Sequence, residues 1–263
     1  MVECNTFRLM LLILGVVFAF LYIPISVLVG LSFNEGGLPT AWTGFSFKWY
    51  GALLENDNIL RAAGNTLVVA IFSTVFSTLL GTLLAVGVEI RQRNGKWLET
   101  IIFAPMIIPD IVLAISLLSF FSLLGVKMGL HTIIVSHVVF NLAFVCAVVR
   151  ARLKSFDWSI IEVSSDLGAS TFITLYRVVI PLLMPAILAG GLLAFTLSVD
   201  EFIIAFFTAG AGRASITLPM QIYAMIRFGV TPEINALATI VMSVSVIALA
   251  LSQRLNKGGL PGQ

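Results

Sequence analysis

The stretch EVSSDLGASTFITLYRVVIPLLMP, residues 162–185, is polar and rich in small residues for its first half, yet it lies between two of the most apolar segments of the chain. Residues 158–167 hold neither glycine nor proline and have helical habits, Gly168 interrupts them, and a second helical piece is predicted over 170–179. Pro181 and Pro185 are expected to end that piece, because proline lacks the amide that a helix interior needs. A short helix, a glycine corner and a second short helix follow, too short and too polar to cross a bilayer.

The surroundings are those of a membrane protein. Of 263 residues, 59% are hydrophobic and only 11% charged, with a mean hydropathy of +1.07, where soluble domains carry roughly 25% charged residues. Spanning a bilayer takes about 20 mostly apolar residues. Six stretches qualify: 9–31, 62–90, 100–124, 131–149, 182–207 and 234–251. The first is longer than the usual signal-peptide core of about 7–15 residues and lacks a small-x-small cleavage site, so it reads as a span. The predicted fold is all-α and integral to the membrane, with six transmembrane helices. No linker-like segment divides it, so residues 1–263 read as one domain.

Lys and Arg set the orientation, since they favour the cytoplasmic side. With the N-terminus inside, the inner segments hold Arg8, Arg91, Arg93, Lys96, Arg150, Arg152, Lys154, Arg177, Arg254 and Lys257, against Lys48, Arg61, Lys127, Arg213 and Arg227 outside. That bias predicts N-in, C-in, with the 162–185 stretch in the cytoplasm between spans four and five. Outside, the segment 32–61 carries Trp42, Phe45, Phe47, Trp49 and Tyr50. It reads as an aromatic belt at the membrane surface or as a docking surface for an external partner. Thr231, Pro232 and Glu233 mark the start of the last helix as N-cap, N1 proline and first-turn acid.

Composition also excludes. A net charge of +2 is too small to argue for nucleic acid, and the two cysteines, Cys4 and Cys146, lack metal-ligand spacing, so no metal site or disulfide is implied. No G-x-x-x-x-G-K-[ST] loop occurs, so the chain is not a nucleotide-hydrolysing subunit of that class and binds no cofactor of its own.

Three acids fall within apolar spans. A charge at the bilayer centre costs about 2.5–3.5 kcal/mol on insertion scales, so such residues face partners or a wet path. Asp110 follows Pro105 and Pro109 in the third span and reads either as a cap on the second half-helix or as a carboxylate on a translocation path. Asp200 and Glu201, adjacent towards the outer half of the fifth span, read either as a helix segment near the outer interface, hydrated from outside, or as path acids, of which at most one faces the path squarely because adjacent residues point about 100° apart on a helix. If several carboxylates converge, a polycation is the matching cargo. Asn65, His137 and Asn141 read as helix-bridging groups, and Gly190-Gly191 as a kink or a close-packing point.

The 162–185 stretch also carries a family pattern. Glu162-Val163-Ser164, Gly168 after three more residues, and Val178-Val179-Ile180-Pro181 after nine more resemble the cytoplasmic loop of type I ABC importer permeases. The family pattern has Glu-Ala-Ala at the first position, and Val163 and Ser164 depart from it. The stretches FAPMIIPDIVLAISLL, SVDEFIIAFFTAG and TPEINALATI extend the likeness to the permease subunits of spermidine/putrescine importers, over nearly the whole chain.

That resemblance implies a coupling loop over 150–181, with Glu162, Ser164, Asp166, Gly168, Ala169 and Pro181 meeting an ATPase subunit. It also implies a bacterial inner-membrane location, a second permease as a homologue or a copy, two ATPase subunits that bind ATP and Mg, and a periplasmic or extracellular binding protein. Asp110, Asp200 and Glu201 would line the substrate path. A permease for another small cation, or an ion-coupled secondary transporter using the same acids, stays open; a membrane enzyme has no paired His/Asp or Ser/His arrangement to support it.

Overall fold

A computed structural model describes the backbone of residues 2–37, 41–90, 95–227, 229 and 231–257, and side chains over the same residues except 2–6, 8, 95, 96, 98 and 245–257. Among the described residues the chain is helical, with one isolated β-bridge between Asn34 and Phe45. Arg91 and Arg93 lie outside the described residues, and the side chains of Cys4, Arg8, Lys96, Arg254 and Lys257 lie outside the described side chains. The chain divides into two compact units, residues 1–60 with 222–263, and residues 61–221.

The first unit contains α1 (Val2–Leu31), α2 (Lys48–Glu55), the first turn of α3 (Asp57–Ile90) and α12 (Pro232–Lys257). None of the Leu9–Leu31 span is buried within the chain, as expected of a helix solvated by lipid or by another protein. Between α1 and α2, the fully buried Asn34 organises the aromatic segment. Its Nδ2 donates to the Ala41 carbonyl at 2.7 Å, its Oδ1 accepts the Thr43 amide at 2.9 Å, and Trp49 Nε1 donates to its carbonyl at 2.8 Å. Phe33, Phe45, Phe47 and Tyr50 pack around that frame, while Trp42, Phe45 and Phe47 remain more than half exposed. Asn56 caps α3 by accepting the Asn58 amide at 3.2 Å and donates to Glu233 Oε1 of α12 at 3.2 Å. The last helix begins at Pro232, as its start signal predicts.

The second unit is built on a seam of three helices: α3, α6 (Leu130–Leu153) and α9 (Ile180–Asp200). Ser73, Ser77, Gly81 and Ala85 recur every fourth residue on α3, and Gly190, Ala194 and Ser198 do so on α9. All are buried. Small side chains at this spacing let backbones approach, which is how helices associate where lipid removes the hydrophobic drive. A Cβ on Gly81 would lie 2.9 Å from Val145 Cβ and 3.0 Å from the Leu142 carbonyl; one on Gly190 would lie 3.4 Å from Val145 Cγ1. Since α9 runs unbroken through Gly190 and Gly191, these glycines serve close packing and not a kink.

Polar side chains stitch the seam. Ser198 Oγ lies 2.7 Å from His137 Nδ1 and 2.9 Å from Ser73 Oγ, and Asn65 Nδ2 donates to the carbonyls of Ala214 and Ile216 at 2.8 Å each. His137 and Asn65 therefore bridge elements as the sequence suggests. The Asn141 amide has no partner among the described residues.

Two expected spans are not single helices. The 100–124 stretch becomes α4 (Gly95–Ile107) and α5 (Asp110–Leu123), bent by 111°. Pro109 removes an amide and turns its own backbone to ψ 136°, so the helix cannot continue through it. The 182–207 stretch breaks after Asp200, because Glu201 is extended (φ −70°, ψ 117°), and α10 (Ile203–Thr208) follows. By length and composition four helices among the described residues can span, or five if the bent pair counts as one. The last stretch lies in α12, whose side chains are described only to residue 244.

Candidate functional site

The loop after α6 is built as a corner. Asp157 Oδ1 accepts the Ser159 amide at 3.0 Å and starts α7 (Ser159–Asp166). Hydrogen bonds from the Ser159 side chain and amide hold the Asp157 carboxyl below its ordinary range. Gly168 takes φ +80°, a left-handed conformation that only glycine adopts without strain. The chain then enters α8 (Thr171–Thr174), and Ser164 Oγ meets Thr174 Oγ1 at 2.8 Å across the corner. Ser164 thus holds the corner closed instead of presenting itself outward.

The second helical piece does not end at the prolines. It passes from α8 through one wide turn, Leu175–Val179, directly into α9. In a regular helix the Pro181 ring would collide with the Arg177 carbonyl four residues back. The wide turn, in which the Ile180 amide reaches the Leu175 carbonyl, displaces that register. The expectation of a stop at Pro181 and Pro185 is corrected: the piece becomes a rigid extension of α9.

One face of the corner is anchored and the other is bare. Phe156, Trp158, Ile161 and Leu175 pack on a core that includes Ile102, Val149, Leu153, Val179 and Leu183. Glu162, Asp166 and Gly168 are exposed, Ala169 is half-buried, and Leu167, Phe172 and Tyr176 are 83%, 75% and 66% exposed. Large apolar side chains so exposed next to two acids make a surface suited to a protein partner.

At the same end of this unit, Arg150 on the last turn of α6 joins two acids. Its Nε lies 3.2 Å from Glu89 Oε2 on α3, and its Nη2 meets Glu99 Oε1 on α4. The guanidinium also sits 5.9 Å from the Phe103 ring centroid. In the sequence Arg150 reads as an orientation signal and as the start of the coupling loop, and nothing there singles out Glu89 or Glu99 as its partners. Their only signal was two acids at the ends of apolar runs that face a basic helix end.

The path candidates form a different arrangement. Asp110 is the first residue of α5, and Glu201 stands just before α10, which packs on α5. Leu113, Ala114, Phe140 and Ile204 form one buried apolar cluster that joins α5, α6 and α10. The two carboxylates are within electrostatic reach of each other, and no described Lys or Arg is paired with either. Glu201 Oε1 accepts the Ile204 amide at 2.7 Å. Among the described residues no amide of α5 donates to the Asp110 carboxylate, so of the two acids Glu201 is the one that caps. Asp200 is exposed at the end of α9. The helical-wheel argument for Asp200 and Glu201 does not apply, because the helix ends between them.

Residues 77–257 match the family described as binding-protein-dependent transport system inner membrane component. The chain belongs to that family. It is 42% identical over 247 residues to the spermidine/putrescine transport system permease protein PotC of Escherichia coli strain K12, covering 94% of this chain and 93% of that one. It is 40% identical over 265 residues to the putrescine transport system permease protein PotI of the same strain, covering 96% and 93%. Like its relatives it is a membrane component of a transport system and not an enzyme. Among solved structures, a chain of a bacterial ABC transporter that imports the acidic polysaccharide alginate matches with a TM-score of 0.77 at 18% identity, covering 96% of both. A chain of the MetNI methionine ABC transporter matches with a TM-score of 0.58 at 21% identity, covering 76% of this chain and 95% of that one. At such identities the shared feature is the fold.

Proposed function

We propose that this family member is the polyamine-passing permease subunit of an ATP-driven importer. It carries six transmembrane segments with both termini in the cytoplasm, and the bent pair α4–α5 counts as one of them. It acts as one functional domain. The observation that carries the cargo assignment is the placing of Asp110 at the start of α5 and Glu201 just before α10, two elements that pack together, with no Lys or Arg paired to either among the described residues, in a chain 42% identical to a spermidine/putrescine permease. Converging carboxylates match the ammonium groups of a linear polycation. Asp200, exposed nearby in sequence, adds a third acid to the path. The alginate importer's cargo is acidic while its fold is similar, so the fold does not choose the charge of the cargo.

In this reading the corner formed by α7, Gly168 and α8 faces the cytoplasm and docks an ATPase subunit through Glu162, Asp166, Gly168, Ala169 and the exposed Leu167 and Phe172. Ser164 and Pro181 act inside the corner, one closing it and one setting the wide turn. The rest of the machine comprises a second permease, two ATPase subunits that bind ATP and Mg, and a binding protein outside the inner membrane. The solved alginate transporter in complex with its periplasmic binding protein, whose matched chain has a TM-score of 0.73 here at 19% identity, supports a permease of this fold in such an assembly. ATP binding draws the loops together and opens the path outward; hydrolysis resets it.

The test is uptake of labelled putrescine and spermidine by cells expressing the whole system, with ATPase activity and complex assembly followed in parallel. Wild type should take up at least one of the two. Asp110→Asn and Glu201→Gln should lower that uptake while the complex still assembles. A wild type that assembles and hydrolyses ATP but moves neither compound would overturn the polyamine assignment.

A further inference from the structure

Arg150 stands at the junction of three helices and the corner. Only 14% of its side chain is exposed, as for Glu89, while Glu99 is 37% exposed, so the cluster is withdrawn from water on its Glu89 side and open at Glu99. The planar fork of a guanidinium can hold two carboxylates at once, which the point charge of a lysine does less well. It thereby fixes the end of α3 and the start of α4 to the last turn of α6. Three residues after Arg150 comes Leu153, buried in the same core that receives Phe156, Trp158 and Ile161 from the corner and Ile102 and Phe103 from α4. The corner and α4 thus share one anchor.

The other end of α4 is the break at Pro109. A 13-residue helix is about 20 Å long, and beyond it lies Asp110, at the bend of 111°. A push on the corner therefore reaches the acid pair along α4, provided that α4 stays fastened to the last turn of α6.

We propose that Arg150 is a positioning residue for transport, fastening α4 to the coupling corner so that movement there is delivered to Asp110 and Glu201. The inference rests on the reading of the corner as the ATPase dock. Arg150 touches neither cargo nor nucleotide; its loss should separate hydrolysis from uptake rather than abolish either at its source.

The experiment uses the whole transporter in proteoliposomes, with putrescine or spermidine, whichever wild type carries. Uptake and ATP hydrolysis are both expressed per assembled complex. Arg150→Gln should lower uptake about tenfold, in the range of ordinary coupling free energies, with hydrolysis per complex within about twofold of wild type. Arg150→Lys should recover part of the uptake. Uptake and hydrolysis falling together in Arg150→Gln, or uptake within about twofold of wild type, would overturn the role. If Arg150→Gln fails to assemble, Glu89→Gln with Glu99→Gln decides by the same two readouts, since it removes the attraction while leaving hydrogen-bond acceptors. A wild-type chain that assembles without any ATPase would overturn the docking reading and this inference with it, whereas a normal wild type beside a fully coupled Arg150→Gln would sink the inference alone.

Discussion

Two pairs of acids sit in the same unit and are treated differently. Glu89 and Glu99 converge on Arg150, so their charge is matched by the fold. Asp110 and Glu201 stand on packed elements within electrostatic reach of each other, with backbone amides at Glu201 and no paired cation among the described residues. Leaving like charges together in an apolar setting disfavours the folded chain. In the proposed reading, a fold that neutralises one pair and leaves the other open reserves the second for a charge that arrives from outside, so that the matched pair belongs to the architecture and the open pair to the cargo.

Removing charge from the open pair should give the largest effect. Hydrogen bonds to charged groups are worth about 1.5–3 kcal/mol, so Glu201→Gln should cut polyamine uptake about ten- to hundredfold. The glutamine oxygen can still accept the Ile204 amide, so the thermal stability of the purified complex should hold. A stability loss equal to that of Glu201→Ala would return Glu201 to capping alone.

Glu89→Gln should behave in the opposite way, costing about 1–3 kcal/mol of stability by leaving a mostly buried guanidinium with one carboxylate fewer. Chemical or thermal unfolding of the complex measures it; equal stability of Glu89→Gln and Glu201→Gln would erase the distinction between the pairs. The seam on which both pairs depend is also sensitive. Gly81→Ala places a Cβ against Val145 and the Leu142 carbonyl and should cost about 1–3 kcal/mol, read as a lowered melting temperature.

Ser198→Ala should cost somewhat less, about 0.6–2 kcal/mol, by taking one acceptor or donor from both His137 and Ser73. The smallest change is at Asp157. Its lowered carboxyl range means that the link to Ser159 is present above the ordinary carboxylate pKa and is lost as pH falls through the lowered value. At neutral pH, Asp157→Asn should make the Ser159 amide exchange faster without altering uptake; unchanged exchange would show that the link does not order α7.

Much was legible because membranes punish exceptions. Runs of apolar residues located the helices, the Gly168 corner was marked by the one residue that tolerates φ +80°, and the start of α12 was written in Pro232. The acids stood out as costly. What stayed hidden depended on neighbours distant in sequence. Pro109 gave notice of a break, but not of a 111° bend; nothing around Glu201 announced that α9 stops at Asp200, since no glycine or proline interrupts the apolar run from residue 192 to 209. Pro181 pointed the wrong way, because a wide turn can absorb a proline when the helix on each side is held by packing at Leu175, Val179 and Leu183.

Length, hydropathy and spacing by themselves determined that this is an all-helical membrane chain with a short helical corner and three conspicuous acids, because each is a one-dimensional property of the chain. Tertiary structure alone decided which charges are matched. Arg150 meets Glu89 and Glu99 across gaps of 61 and 51 residues, and the packing of α10 on α5 brings Glu201 and Asp110 to neighbouring elements across a longer one, so whether an acid is neutralised or left open is settled by which helices pack together and by nothing in its local sequence.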